Sequence, residues 1–180
     1  MSIVTLIILS CLMLSDHNFL LDFGTNKNSP QWTAINDTVM GGRSQGSVSF
    51  NQNSLSFQGS ISFDNNGGFA SVRGPFQASD LSAYTAVEIR YKTTGQAVAL
   101  TLENHRPFYM PYYKKTLPNS AGNWETITLS LAEFKAYRLG KATGDLLSKE
   151  VLKDIIRIGF INGEKKEGAF SLEVDYISFK

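Results

Sequence analysis

Ala86-Val87-Glu88-Ile89-Arg90-Tyr91-Lys92 alternates strictly, with Val87, Ile89 and Tyr91 pointing one way and Glu88, Arg90 and Lys92 the other. A period of two over seven residues describes an antiparallel strand with one face in a core and one in water. The pattern recurs along the chain: Val98, Leu100 and Leu102 repeat it, as do Ile127, Leu129 and Leu131 after Trp124, and Phe170, Leu172 and Val174 further on. Gly, Asn, Asp, Ser and Pro punctuate these runs, which is the pattern of an all-β sandwich or barrel. Asn65-Asn66-Gly67-Gly68 is the strongest turn signal. Leu55, Phe57, Ile61 and Phe63 bracket Gln58-Gly59-Ser60, which reads as a tight hairpin or as one long strand with a glycine bend. Helix is expected only in connections. One candidate is residues 145–155, where Leu147, Val151 and Ile155 fall at spacing four, and the other is a turn at 131–134 with Ser130 and Glu133 placed as a capping box.

At 180 residues the chain can bury a core without metal or disulfide staples. No repeat, low-complexity tract or Pro-rich linker divides it. The expected layout is an apolar segment over residues 1–18 and one β-sandwich domain over residues 19–180. Residues 3–14 are apolar apart from Thr5 and Ser10, which resembles the middle of an export signal. The run falls short of the roughly 20 residues that span a bilayer, and it has neither a preceding Lys or Arg nor a small-x-small cleavage site. Ile8-Leu9-Ser10-Cys11 is loosely similar to a bacterial lipoprotein box. A buried first strand or a mis-set start codon competes with export, and any membrane association is expected to run through residues 1–18. Seventeen basic and sixteen acidic residues leave a formal charge of +1. With no basic block, the electrostatic footprint of a nucleic-acid binder is missing. Twelve Phe, seven Tyr and two Trp in a 42% hydrophobic composition suit a β-rich core and argue against disorder. Cys11 is the only cysteine, which excludes an intramolecular disulfide framework and a cysteine zinc cluster.

Asn36-Asp37-Thr38-Val39-Met40-Gly41-Gly42-Arg43-Ser44-Gln45-Gly46 mixes β-forming residues with a glycine pair. Thr38, Val39 and Met40 suit a strand, and the glycines mark a bulge or a close approach of another chain. In an extended segment Asp37 and Arg43 share a face roughly 20 Å apart, so each needs a partner from elsewhere. The stretch reads as a bulged strand turning at Gly46 or as a binding surface. Catalytic signals are sparse. His17 and His105 sit in no known spacing, and His105 reads as a solvated loop residue. No nucleophile elbow, zincin motif or P-loop occurs, and Gly41, Gly42 and Gly46 miss the dinucleotide fingerprint, so no cofactor or metal is expected. Asp22, Asp37, Asp64 and Asp175 read as turn and strand-face residues, and an enzyme would need two of them in one cleft. Phe108-Tyr109-Met110-Pro111-Tyr112-Tyr113 reads first as a strand with alternating buried rings, and secondly as rings able to stack on sugar or anchor a partner.

Trp32, the Asn36 to Ser44 stretch, Gly67-Gly68-Phe69-Ala70-Ser71-Val72-Arg73, Trp124 and Phe134 together resemble the complex I intermediate-associated protein family, over about residues 19–179. The family is named for a mitochondrial assembly factor of NADH:ubiquinone oxidoreductase. The resemblance implies a galactose-binding-like, antiparallel jelly-roll β-sandwich, similar to carbohydrate-binding modules, and a non-catalytic, chaperone-like assembly role. It carries over to Asn36, Asp37, Val39, Met40, Gly41, Gly42, Arg43 and Ser44, with Gly67, Gly68, Phe69 and Arg73 in the second motif. No catalytic role attaches to these positions. The expectation is a binding surface for a protein partner, a respiratory-complex subunit being the candidate the family supplies. In it Asp37 and Arg43 supply polar contacts, and Met40 and Phe69 apolar anchoring. The chain departs from the mitochondrial type in having no evident Arg-rich transit peptide. The alternative is a carbohydrate-binding module in which Trp32, Tyr109, Tyr112 or Tyr113 stack on glycan rings.

Overall fold

The computed structural model describes residues 19–24, 31–164 and 166–180. The apolar run at 3–14, Cys11 and His17 lie outside the described residues. The strands are β1 (Phe19–Asp22), β2 (Thr33–Asn36), β3 (Gln45–Phe50), β4 (Leu55–Ile61), β5 (Ala70–Arg73), β6 (Ala86–Gly95) and β7 (Ala99–Glu103). They continue with β8 (Tyr112–Thr116), β9 (Glu125–Ser130), β10 (Lys135–Arg138), β11 (Lys141–Leu146), a one-turn helix α1 (Lys149–Leu152), β12 (Arg157–Asn162) and β13 (Gly168–Phe179). They form a jelly-roll sandwich of two antiparallel sheets. The six-stranded sheet runs β3-β4-β13-β6-β9 with β1 beside β13, and the seven-stranded sheet runs β11-β10-β8-β7-β12-β5-β2.

Alternation along the strands builds the core between the sheets. Val87, Ile89 and Tyr91 of β6 are fully buried, and so are Leu100 and Leu102 of β7, Phe57 of β4 and Phe160 of β12. Trp32 lies inside as well, stacked on Phe160 with ring centroids 6.2 Å apart and edge-on to Phe23 at 5.3 Å. β13 is the spine of its sheet, pairing with β6 along one side and with β4 and then β1 along the other. Its register on β6 slips between Val174 and Tyr176. The slip leaves Asp175 unpaired in the ladder as a bulge, and inward residues change from Phe170, Leu172 and Val174 to Ile177 and Phe179, all buried.

Local expectations are corrected in several places. Residues 55–63 form one strand to Ile61 rather than a hairpin. Gly59 lies inside it because β3 passes so close that a Cβ there would overlap the Gln45 carbonyl. The expected strand at Thr38, Val39 and Met40 is a 3-10 turn over Asp37–Met40. The expected helix over 145–155 shrinks to α1: Asp145 and Leu146 end strand β11, and Leu147 and Ile155 reach the core from irregular backbone. Spacing of four arose there from anchor points in a connection, not from helical periodicity. Ser148 caps α1 by accepting the Val151 N–H at 3.3 Å. Ser130, by contrast, makes no side-chain cap on the short turn Leu131–Glu133, since Glu133 pairs with Lys115 at 2.7 Å.

Gly59→Ala should force β3 away from β4 and destabilise the protein by about 1–3 kcal/mol, the usual range for overpacking. Urea unfolding at neutral pH checks this.

Candidate functional site

Asp37 is buried, with 1% of its surface exposed. Its carboxylate is met by backbone donors from both glycine-centred motifs. Ser44 N–H donates to Oδ1 at 2.9 Å, and Gly68 N–H and Phe69 N–H donate to Oδ2 at 2.6 and 3.2 Å. In return the Asp37 N–H donates to the Phe69 carbonyl at 3.2 Å, and Gly42 N–H donates to the Asp37 carbonyl at 3.0 Å. Burial pushes the Asp37 carboxyl up, but the hydrogen bonds it receives from Ser44, Gly68 and Phe69 outweigh it. The result is a carboxyl below its ordinary range. The glycines make room for this anion: a Cβ on Gly42 would overlap the carboxylate, and one on Gly67 would stand 2.6 Å from Oδ2. Asn36 ties the base of the turn to the Gly46 carbonyl at 3.0 Å. Ser44 Oγ completes the junction by donating to the Ser62 carbonyl and accepting from Ser62 N–H, both at 3.1 Å.

The motif therefore divides into a buried half and a displayed half. Asn36, Asp37, Gly42, Ser44, Gly67 and Gly68 make the junction between the β2–β3 and β4–β5 connections. Outside it stand Val39, 72% exposed, and Met40, 75% exposed, before Gly41 reverses the chain at φ 87°. Arg43 stands beside them, its nearest carboxylate Asp64 at 3.8 Å with both side chains in water. The two ends of the segment are not roughly 20 Å apart as in a strand, because the chain folds back until Ser44 bonds Asp37. Phe69 is half-buried, and Arg73 lies away from the turn, on the outer face of the seven-stranded sheet.

That outer face carries a second group of side chains. Arg73 and Arg157 share Glu103, Arg73 at 3.7 Å and Arg157 through paired hydrogen bonds. Phe76 lies against both Arg106 and Arg157, at 4.4 and 4.3 Å from ring to guanidinium. A cleft of about 50 Å³ runs between this network and residues 105–111, lined by Ser71, Thr101, His105, Phe108 and Tyr112. Tyr112 stacks beside Tyr137 with centroids 6.1 Å apart, and burial among these groups pushes its hydroxyl up to about 12. Lys114, directly opposite Thr101 on β7 and Lys135 on β10, holds its ammonium 4.3 Å from the Tyr137 ring centroid. The opposite sheet is different. On its outer face Arg90 pairs with Asp175, Lys92 with Glu173 at 3.0 Å and Lys180 with Glu88 at 2.6 Å, with Arg90 and Lys92 also over the Trp124 ring.

The aromatic run is not a strand of alternating buried rings. Phe108 and Tyr109 are exposed, at 73% and 48%, on the loop over the cleft, while Tyr113 and Trp32 are buried and removed from any sugar platform. His105 lines the cleft in an exposed loop, as its polar setting suggests. Of the aspartates, Asp22 and Asp175 approach each other beside Gly24, their Oδ1 atoms 3.4 and 3.5 Å from where its Cβ would stand. Asp175 is held there by Arg90, and Asp22 accepts the Gly24 N–H at 2.8 Å. Among the described residues no three His, Cys, Asp or Glu side chains are grouped to hold a metal ion, and no helix is long and apolar enough to cross a membrane. Tyr137, Lys114 and Thr101, on three different strands, are the outer-face residues that sequence reading missed. Each alternates with a buried neighbour on its strand, a signal that marks the outer face without showing that these faces meet.

Two antiparallel sheets in this order define a galactose-binding-like jelly-roll β-sandwich. The chain belongs to the complex I intermediate-associated protein 30 (CIA30) family, whose pattern matches residues 21–174. No curated protein matches it. Among solved structures it is similar to the family 11 carbohydrate-binding module of the cellulosomal cellulase Lic26A-Cel5E of Clostridium thermocellum. That likeness has 15% identity and a TM-score of 0.64, covering 89% of this chain and 93% of that one. The Clostridium thermocellum family 11 module in complex with a β-1,3-1,4-mixed-linked tetrasaccharide is 18% identical, with a TM-score of 0.62, covering 90% and 94%. An exo-β-agarase is 11% identical with a TM-score of 0.54, and the likeness covers 90% of this chain but 25% of the agarase. At these identities the likeness is one of fold.

Asp37→Asn turns one anionic acceptor into an amide that faces N–H donors, and should cost about 2–3 kcal/mol at neutral pH. Because the folded carboxyl titrates below its ordinary value of 3.8, its stabilisation is present above that value and is lost as pH falls through the folded one. The gap between wild type and Asp37→Asn, measured by urea unfolding across pH, should therefore close in acid.

Proposed function

We propose that this chain is a non-catalytic binding domain that holds a protein partner through the turn over Asp37–Met40 and Arg43, in the assembly of respiratory complex I. The observation that carries this is the pairing of a rigid base with an exposed tip. Asp37 locks the turn, and the turn displays Val39 and Met40 side by side. Methionine adapts its shape to an apolar pocket, and a flanking arginine supplies a directional contact to a carboxylate. A partner with an apolar pocket rimmed by acidic groups fits this surface. Membership of the CIA30 family supports complex I as the setting. The single domain expected over residues 19–180 is part of the same proposal.

A photo-crosslinker at exposed Thr38 should capture a complex I subunit or assembly intermediate in extract of the source cell, and one at exposed Ser47 should not. Val39→Asp with Met40→Glu should abolish capture without shifting the melting temperature. Undiminished capture by that double variant would overturn the proposal.

A second reading, glycan binding on the outer face of the seven-stranded sheet, is favoured by a separate observation. Tyr112, stacked on Tyr137, lines a cleft together with the hydroxyls of Ser71 and Thr101 and the Arg73–Glu103 pair. A module of similar fold has been solved with a mixed-linked tetrasaccharide.

A further inference from the structure

Lys114 is the least explained side chain in the molecule. Only 9% of it is exposed, yet among the described residues its ammonium has no carboxylate within 4.0 Å and donates no hydrogen bond. The ammonium lies over the face of Tyr137. Burial pushes the amine below its ordinary range, against the field of Glu164. Glu164 is itself engaged, accepting the Thr116 hydroxyl at 2.7 Å. A partly desolvated ammonium with no carboxylate in contact is placed to receive an anion from outside.

The surroundings add to the mismatch. Lys135 stands directly across from Lys114 on β10, and like charges at opposed cross-strand positions repel. On the same face Arg73 and Arg157 share the single carboxylate of Glu103. The outer face of the six-stranded sheet, by contrast, matches each of Arg90, Lys92 and Lys180 to an acid. The outer face of the seven-stranded sheet thus sets Arg73, Arg157, Lys114 and Lys135 beside Glu103. That face also has hydroxyls at Ser71, Thr101 and Tyr112, and the rings of Tyr112 and Tyr137.

We propose that the outer face of the seven-stranded sheet binds a carboxylate-bearing glycan, with Lys114 and Lys135 receiving the carboxylate of a uronic acid residue. This rests on the glycan reading of that face. The sugar acid supplies the missing anion, its hydroxyls meet Thr101 and the Glu103 network, and the tyrosine rings offer apolar area to its ring faces. An acidic peptide shares the charge but has no comparable use for paired rings and hydroxyls.

Calorimetric titration of the protein with trigalacturonate and with its neutral counterpart, galactotriose, tests this. The acid should bind at least about tenfold tighter, the difference corresponding to one charge-assisted contact, and the preference should fall as salt rises. Lys114→Gln and Lys114→Met should remove the preference. Both should leave the fold intact, with a melting temperature close to that of wild type, because the Lys114 ammonium makes no ion pair or hydrogen bond in the fold. Lys135→Gln should reduce the preference in part.

Equal binding of both sugars, unaffected at Lys114, would overturn the acid preference and leave the glycan reading standing. Binding of neither would remove both. Lys114-dependent binding of poly-glutamate without binding of either sugar would overturn the ligand class.

Discussion

One buried carboxylate joins the two glycine-centred motifs. Asp37 accepts N–H donors from Ser44 on one side and from Gly68 and Phe69 on the other, so the connections β2–β3 and β4–β5 close on a shared anion. The backbone donors meet a full negative charge in a water-poor site, where charge-assisted bonds are strong and an unpaired donor is costly. Everything nearby follows from accommodating that group. Gly42 and Gly67 leave space for it, Gly41 turns the chain back, and β2 and β3 are held where each sheet receives its edge. The family signature is thus largely an architectural device, and the residues free to meet a partner are those the device pushes outward.

Much of this architecture was legible because burial and alternation are the same fact seen twice. Val87, Ile89 and Tyr91, or Leu100 and Leu102, can only alternate as they do if one face is dry, and all are fully buried. The bulge in β13 went unread, because the alternation of Phe170, Leu172 and Val174 gives no sign that Asp175 leaves the ladder. What stayed hidden depended on contacts between distant segments. Residues 38–40 have strand-like side chains, but the bonds to Asp37 bend them into a turn, because tertiary hydrogen bonds outweigh a β-propensity of only about 1 kcal/mol. Likewise Gly59 looked like a bend and is a close approach by β3.

The candidate surfaces were legible unevenly for the same reason. The exposed turn was visible as a motif, though not its division into buried and displayed halves. The cluster on the outer face of the seven-stranded sheet was not visible, since Thr101, Lys114, Lys135 and Tyr137 come from strands that only the sheet order brings side by side. The sandwich thus carries two separated surfaces of different chemistry. One is a small apolar tip beside Arg43, suited to a protein pocket, and the other a cation-rich face with rings and hydroxyls.

The place of β13 has a consequence for how the molecule comes into being. It is the last strand along the chain and lies in the middle of the six-stranded sheet, between β6 on one side and β4 and β1 on the other. While the polypeptide is still emerging from the ribosome, β4 and β6 have no neighbour to bridge them, and their apolar faces stay uncovered until β13 is released. Folding of this sheet therefore waits on β13 and is dominated by contacts distant in sequence, a slow regime in which exposed strand edges invite misassembly.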